Sequence, residues 1–206
     1  MFETKNLRFK YDNNLELNFP DIKTFKENLL ILGASGVGKT TFLHLLSGLL
    51  KPINGEIDLL GTKISNLKMS EMDRFRGKNI GIVFQKPHFI NSLTVKENLQ
   101  LAQYISKKSD KNRIQSLLES LGIEDKANKK TQNLSQGEKQ RVSIALAIVN
   151  SPKLILADEP TSSLDDLNCD KVINILKNQA SKYKAKLIII THDYRLKKHF
   201  KNTLSL

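Results

Sequence analysis

Residues 33–40 read GASGVGKT, which places three glycines ahead of a lysine and a threonine. They match the pattern G-x-x-x-x-G-K-[ST], in which unshielded backbone N–H groups converge on phosphate oxygens. In this pattern Lys39 reaches the β- and γ-phosphates of a nucleotide, and the hydroxyl of Thr40 binds Mg²⁺. The sequence therefore predicts that this segment binds a nucleoside triphosphate together with a magnesium ion.

The residues on either side of this phosphate loop have the periodicity that the motif requires. The apolar run 29–32 precedes the loop and predicts a buried strand. Four apolar residues at helical spacing follow it and predict one face of a helix: Phe42, Leu45, Leu46 and Leu49. A helix that begins at the loop adds its partial positive charge to the phosphate site. The loop alone is equally compatible with a small-molecule kinase, a GTPase or a helicase.

Three further apolar runs predict the remaining strands of a central parallel sheet. They are short, apolar and followed by polar residues: 80–84, 154–157 and 187–190. The alternation of apolar and polar residues in 1–28 and in 55–62 predicts antiparallel strands instead.

The fold class predicted from these patterns is α/β, with a P-loop NTPase core, a mainly parallel sheet and a flanking antiparallel β-subdomain. Residues 94–149 have helical periodicity, and we expect them to form a helical subdomain inserted between 1–93 and 150–206. All 206 residues would then form a single nucleotide-binding domain.

Composition limits the classes of protein to which the chain can belong. Its single cysteine, Cys169, excludes an internal disulfide, and residues 1–10 are too polar for a secretory signal, so we expect a cytoplasmic protein. The apolar runs are far shorter than the roughly 20 residues that cross a bilayer. The formal net charge is +12, but the lysines are spread along the chain, which favours a solvated surface over a dedicated nucleic-acid site.

Residues 134–141, LSQGEKQR, precede a second helical pattern. Ser135 and Glu138 have the spacing of a capping box, so one interpretation is a helix start and nothing more. Gly137 leaves the backbone open to close approach. The octet also resembles the signature of ABC (ATP-binding cassette) ATPases, which contacts the γ-phosphate of ATP held by the opposite subunit.

Other segments resemble the motifs of the same family, in the same order along the chain. Residues 154–160, LILADEP, resemble its Walker B strand. This resemblance implies that Asp158 holds Mg²⁺ through water and that Glu159 is the general base for the attacking water. Gln85 matches the glutamine that senses the metal and the γ-phosphate, and His192 matches the switch histidine.

Two further positions follow from the resemblance. Residues 163–165 match the D-loop, which implies that Asp165 lies at a dimer interface. Tyr11 resembles the aromatic residue that stacks on adenine, with Phe9 as the alternative. The nucleotide contacts that the phosphate loop and its neighbour would add are Gly33, Ser35, Gly36, Gly38, Lys39, Thr40 and Thr41.

The resemblance implies an ATPase with the cofactors ATP and Mg²⁺. Two copies would close head to tail around two ATP molecules and drive separate membrane permease subunits from the inner face of the cell membrane. Residues 67–85 look most like the lipoprotein-releasing, macrolide-exporting and cell-division group, and Phe89 and Leu93 are candidate permease contacts. Two alternatives remain: a soluble ABC ATPase acting on nucleic acid or ribosomes, and a P-loop phosphotransferase.

Overall fold

Two β-sheets and six α-helices form the part of the chain that the computed structural model describes, residues 2–12, 15–23, 28–162 and 164–206. The strands are β1 (Phe2–Lys10), β2 (Glu16–Asn18), β3 (Leu29–Leu32), β4 (Asn54–Leu59), β5 (Thr62–Lys63), β6 (Ile80–Val83), β7 (Leu154–Asp158), β8 (Lys186–Thr191) and β9 (Asn202–Ser205). The helices are α1 (Lys39–Leu46), α2 (Met69–Asn79), α3 (Val95–Ile105), α4 (Lys111–Ser120), α5 (Gln136–Ile148) and α6 (Asp166–Lys182).

The central sheet has the order β6-β7-β8-β3-β9, and all its neighbouring strands are parallel. Its inner strands are buried on both faces, as β3 with the sequence LLIL shows, because helices or the second sheet cover each side. The second sheet is antiparallel and has the order β2-β1-β4-β5. The predicted α/β class, with a parallel core and a flanking antiparallel sheet, is confirmed.

Two apolar cores lie on opposite faces of the parallel sheet. Leu30 and Leu32 point into one, which α3 to α6 complete. Leu29 and Ile31 point to the other, formed with α1 and the antiparallel sheet. Alternate residues of β3 therefore hold the phosphate-loop helix on one side and the inserted helices on the other.

Three helices, α3 to α5, lie within residues 94–149, between β6 and β7. A capping box between Thr94 and Glu97 starts α3. Gly122, with φ 62°, follows the end of α4 as a left-handed cap. The expected helical content of this segment is confirmed, whereas the subdomain boundaries themselves stay a prediction.

The structure corrects the prediction for the helix after the phosphate loop. Helix α1 ends at Leu46, and Leu49 is 44% exposed instead of lying on its buried face. Gly48 has φ 65°, a left-handed conformation that ends the helix before Leu49. Strand β9 was not predicted either: it adds to β3, and the N–H of Leu206 donates to the carbonyl of Leu32 at 2.7 Å.

No helix in the described ranges is both long enough and apolar enough to cross a membrane.

Candidate functional site

The candidate site lies where the parallel strands end. Val83 at the end of β6 is opposite Ala157 of β7, and Leu32 at the end of β3 is opposite Thr191 of β8. Because these strands are parallel, the segments that follow them leave the same edge of the sheet, including the phosphate loop 33–40. This is the edge at which open α/β sheets bind ligands.

The phosphate loop takes a conformation that needs glycine. Gly36 and Gly38 have φ values of 87° and 94°, which side-chain-bearing residues rarely adopt. At Gly33 a Cβ atom would lie 2.9 Å from Cγ2 of Val37, so the loop also needs glycine for space. Gly38 precedes the first residue of α1 and has no side chain to cap its free N–H groups, which leaves them available to an anion.

Lys39 is buried at the start of α1, with 7% of its surface exposed. Its Nζ donates to the carbonyl of Ala34 at 2.8 Å and lies 3.3 Å from Oε1 of Glu159. A buried ammonium group needs such compensation, because burial without a partner is costly. The contacts hold the lysine head inside the loop, where it would meet phosphate.

Thr40 and Asp158 form the second contact across the site. The hydroxyl of Thr40 donates to Oδ2 of Asp158 at 2.9 Å. Burial is the main cause that raises the pKa of Asp158, and the Thr40 hydrogen bond opposes it. Oδ1 of Asp158 is buried and accepts no hydrogen bond from the described residues.

This donor set fits Mg²⁺. A buried carboxylate oxygen without a partner, next to a hydroxyl, is suited to a cation that takes oxygen ligands. Protein sites for Mg²⁺ use one or two such groups and complete the coordination with substrate phosphates and water. Thr40 and Asp158 would therefore hold the metal together with the nucleotide.

Glu159 follows β7 and is oriented by β8. Thr191 Oγ1 donates to Oε2 at 2.6 Å, and the backbone N–H of His192 lies 3.2 Å from Oε1. Burial, the largest single influence, raises the pKa of Glu159, but the combined hydrogen bonds from Thr191 and His192 outweigh it and lower the pKa. The carboxylate is therefore ionised, and the Nδ1–H of His192 donates to Oε1 at 2.8 Å.

The backbone of Glu159 is strained. Its φ of 46° is in the left-handed region, which is uncommon for residues with a side chain. Its N–H donates to the carbonyl of Ile190 at 2.9 Å, which fixes the turn against β8. Conformations of this kind persist where surrounding contacts determine them, and they concentrate at functional sites.

Tyr11 and Phe9 differ in position. Phe9 is 9% exposed and belongs to the second core, so its ring is committed to packing. Tyr11 is 38% exposed, and its hydroxyl lies 2.6 Å from Oγ1 of Thr41, one residue after Thr40. The structure thus brings Tyr11, rather than Phe9, to the phosphate-loop helix with an accessible ring, while the adenine contact itself stays a prediction. Thr41 itself is buried, with 6% exposed.

The remaining predicted site residues lie in exposed segments. Gln85 is exposed two residues beyond β6. Ser35 is exposed in the phosphate loop. Asp165 is the N-cap of α6, and its Oδ1 accepts from the N–H of Asn168 at 2.8 Å. Ser163, the first residue of the predicted D-loop, lies outside the described residues.

The signature segment starts α5 as its sequence predicts. Ser135 accepts from the N–H of Glu138 at 3.3 Å, and Oε2 of Glu138 accepts from the N–H of Ser135 at 2.7 Å. Donation from the backbone N–H of Ser135 to this carboxylate is the main cause that lowers the pKa of Glu138 to about 2. Around Gly137 an added Cβ would meet only Nη1 of Arg141, at 3.9 Å. The start of α5 is therefore capped by its own side chains and has free space around Gly137.

Two contacts at the site were not predicted from the sequence. Thr191 orients Glu159, although only its neighbour His192 was assigned a role. Gln140 of α5 donates to the carbonyl of Pro160 at 3.2 Å and so joins the signature helix to the segment after Glu159. Thr191 directly precedes the predicted switch histidine, so a local signal for it was present, whereas the contact between Gln140 and Pro160 joins distant segments and leaves no local signal.

Comparison with known proteins agrees with this geometry. The sequence profile of the family described as ABC transporter matches residues 21–162. The chain belongs to the ABC transporter family. As the ATP-binding subunit of that family, it binds and hydrolyses ATP to energise membrane transport.

Two curated relatives are lipoprotein-releasing system ATP-binding proteins LolD. That of Buchnera aphidicola subsp. Acyrthosiphon pisum (strain APS) is 40% identical over 166 residues, which cover 79% of this chain and 73% of the relative. That of Wigglesworthia glossinidia brevipalpis is 36% identical over 197 residues, which cover 94% and 84%.

Solved structures of ABC cassettes have the same fold. A dimeric structure of MJ0796, described as a bacterial ABC transporter cassette, superimposes with a TM-score of 0.90 at 30% identity and covers 100% of this chain and 94% of its own. A second dimeric structure of the MJ0796 cassette, in a post-hydrolysis state with ADP and Pi, has a TM-score of 0.89 at 30% identity, with the same coverage.

Proposed function

We propose that two copies of this chain close around ATP and Mg²⁺, and that hydrolysis in this dimer drives the membrane subunits of a lipoprotein-releasing type of transporter. The observation that carries the proposal is the buried cluster at the carboxyl edge of the sheet. It brings Lys39, the hydrogen-bonded pair Thr40 and Asp158, and the oriented carboxylate of Glu159 together beside the phosphate loop.

Each residue of the cluster has a role that its contacts support. Lys39 would exchange part of its contact with Glu159 for the γ-phosphate and stabilise charge there. Thr40 and Asp158 would hold Mg²⁺, which neutralises charge on the phosphate oxygens when bound. Glu159, ionised and held by Thr191, can accept a proton from water.

His192 has one ring nitrogen on Glu159, the proposed base, and a second ring nitrogen that could contact the nucleotide. Its Nδ1–H is engaged by Glu159, while its side chain remains 52% exposed. Nε2 is therefore available to a ligand. We assign it to the γ-phosphate: in the doubly protonated ring, Nε2–H would donate to a phosphate oxygen while Nδ1–H stays on Glu159, and this would stabilise charge as hydrolysis proceeds.

The ATP site of one protomer is incomplete in this proposal. Ser135 and Gly137 present an exposed helix start with open space around it. Two solved structures of the related MJ0796 cassette are dimeric, and one of them holds ADP and Pi. We assign Ser135 and Gly137 to the γ-phosphate bound by the other protomer, with Asp165 and Gln85 near the same junction.

The membrane partner is assigned to the surface beside the segment after β6. A groove of about 530 Å³ lies there, and Phe84, His88, Ile105 and Leu146 are among its lining residues. Phe89 is partly buried and packs against the first core, which limits the part of its side chain that a permease could contact. The LolD relatives are named as ATP-binding proteins of a lipoprotein-releasing system, which supports a permease of that type. We assign the chain to a peripheral location on the inner face of the cell membrane, where it could contact such a permease.

The test is the variant Glu159→Gln. We expect it to bind ATP, to lose nearly all hydrolysis and to accumulate as a dimer with ATP and Mg²⁺, because the base is lost while Lys39 remains to bind the γ-phosphate. Gel filtration with light scattering and phosphate release measure these properties. Glu119→Gln, an exposed carboxylate bound to Gln115, is the matched control and should behave like the wild type.

A monomer of Glu159→Gln at saturating ATP, also in the presence of the co-purified membrane subunits, would contradict the dimer. A phosphorylated acceptor among the products of the wild type, instead of free phosphate, would establish a phosphotransferase.

A further inference from the structure

Arg195 joins two loops that border the site. It follows β8 by four residues, and its Nε and Nη2 donate to Oδ1 and Oδ2 of Asp193, each at 2.8 Å. Its Nη1 and Nη2 also donate to the carbonyl of Leu164 at 3.2 Å, and Nη1 donates to Oδ1 of Asp166 at 2.5 Å. One guanidinium group therefore binds the loop after β8 and the loop that leads into α6.

Asp193 connects this guanidinium to the interior. It is 8% exposed and also accepts from Thr161 Oγ1 at 2.9 Å. Its side-chain hydrogen bonds with Arg195 are the main cause that lowers the pKa of Asp193 to about 2. The carboxylate is thus a fixed anion between the segment that follows Glu159 and the segment that follows His192.

A continuous path of hydrogen bonds leads from the backbone N–H of Asp193 to the carboxylate of Glu159. The N–H of Asp193 donates to Thr191 Oγ1 at 3.0 Å, and that hydroxyl donates to Oε2 of Glu159 at 2.6 Å. The other end of the path is the carbonyl of Leu164, next to Asp165. Bidentate pairs of this kind fix geometry as well as adding energy.

We propose that Arg195 is a positioning residue for ATP hydrolysis, which holds the loop at Leu164–Asp165 and the loop after His192 in one arrangement. The inference rests on the proposed function, in which Asp165 lies at the dimer junction and Glu159 is the base. Closure of the dimer against Asp165 would then set the orientation of Glu159 through Arg195, Asp193 and Thr191.

A nearby ion pair shows what distinguishes this contact from an ordinary surface pair. Lys198 and Asp170 also join the segment after β8 to α6, at 3.0 Å, but both are well exposed, with side-chain exposures of 60% and 39%. Exposed single-bond pairs contribute little. Arg195 instead donates to four acceptor atoms, and two of them belong to the nearly buried carboxylate of Asp193. A lysine could donate to only some of these atoms.

The test compares Arg195→Gln and Arg195→Lys with the control Lys198→Gln. We expect Arg195→Gln to lower kcat for ATP hydrolysis about tenfold or more, because small misplacements of catalytic groups are costly, and to change KM by less than about twofold. Arg195→Lys should recover part of kcat, and Lys198→Gln should match the wild type. Circular dichroism shows whether each variant is folded.

The same change in the Glu159→Gln background separates this inference from the proposed function. There, Arg195→Gln should raise the ATP concentration needed for half-maximal dimer, measured by light scattering. If Glu159→Gln alone stays monomeric, the proposed dimer fails, whatever Arg195 does. If Glu159→Gln dimerises and Arg195→Gln leaves both kcat and the dimer unchanged, or if Lys198→Gln lowers kcat as much, the positioning role is wrong.

Discussion

The phosphate-loop region and the signature region differ in burial and in the sequence distance that their side-chain contacts span. Lys39, Asp158 and Glu159 are all less than 9% exposed, and their contacts join three segments of the chain. Ser135 and Gly137 are exposed, and the capping box at Ser135 closes within three residues of sequence.

This difference separates a preorganised centre from a surface that is ready for a ligand. The first region holds charges in a dry environment, where they interact strongly and need little rearrangement. The second offers the N-terminus of α5, whose partial positive charge suits a phosphate but whose exposure leaves that charge solvated. The attraction between this helix N-terminus and a phosphate becomes stronger when a second protein surface excludes water from it.

Lys39→Ala should have the largest effect, because it removes the cation of the buried region. We expect ATP binding to weaken strongly and hydrolysis to fall about 100-fold or more. Equilibrium binding of a fluorescent ATP analogue and phosphate release check this. Lys63→Ala, which removes the exposed partner of Glu56 in the antiparallel sheet, is the control and should leave both unchanged.

The variants Ser135→Ala and Thr94→Ala together separate the capping role of Ser135 from its proposed role in ATP hydrolysis. Both residues are N-caps in capping boxes, so each change should reduce the free energy of unfolding by about 1 kcal/mol. Only Ser135→Ala should also lower ATP hydrolysis, by about tenfold, because only that helix start would meet a phosphate. Urea unfolding and steady-state ATPase assays measure the two effects. Equal activities for the two variants would mean that Ser135 is a cap and nothing more.

Gly137→Ala should give opposite signs for stability and activity. Within one protomer the added methyl group has open space, and replacing glycine in a helix stabilises it by about 0.5–1 kcal/mol. In the proposed dimer the same methyl group would lie against the other protomer, so we expect ATPase activity to fall several-fold. A variant that is more stable and fully active would argue against close approach at Gly137.

The buried half of the site was predictable because local patterns define it. A short apolar run followed by GASGVGKT or by a pair of carboxylates marks the end of a parallel strand, and parallel strands end at one edge. The sequence therefore placed Lys39 and Glu159 correctly relative to the fold. Their roles in catalysis, like those of Gln85 and Asp165, stay predictions.

What could not be predicted depends on contacts between distant segments. Strand β9 has alternating, half-exposed residues in a short tail, so only its pairing with β3 makes it a strand. Arg195 is one of many basic residues in the sequence, and nothing local indicates that it reaches Leu164. The early end of α1 at Gly48 was missed because the apolar spacing continues to Leu49, although the glycine supplied the signal.

The most direct test of the composite site is a crystal structure of the Glu159→Gln protein with ATP and Mg²⁺. We predict a head-to-tail dimer in which the hydroxyl of Ser135 and the N–H of Gly137 lie about 3 Å from the γ-phosphate of the ATP bound by the other protomer's phosphate loop. A nucleotide-loaded dimer in which that γ-phosphate contacts only its own protomer, with Ser135 facing solvent, would contradict it.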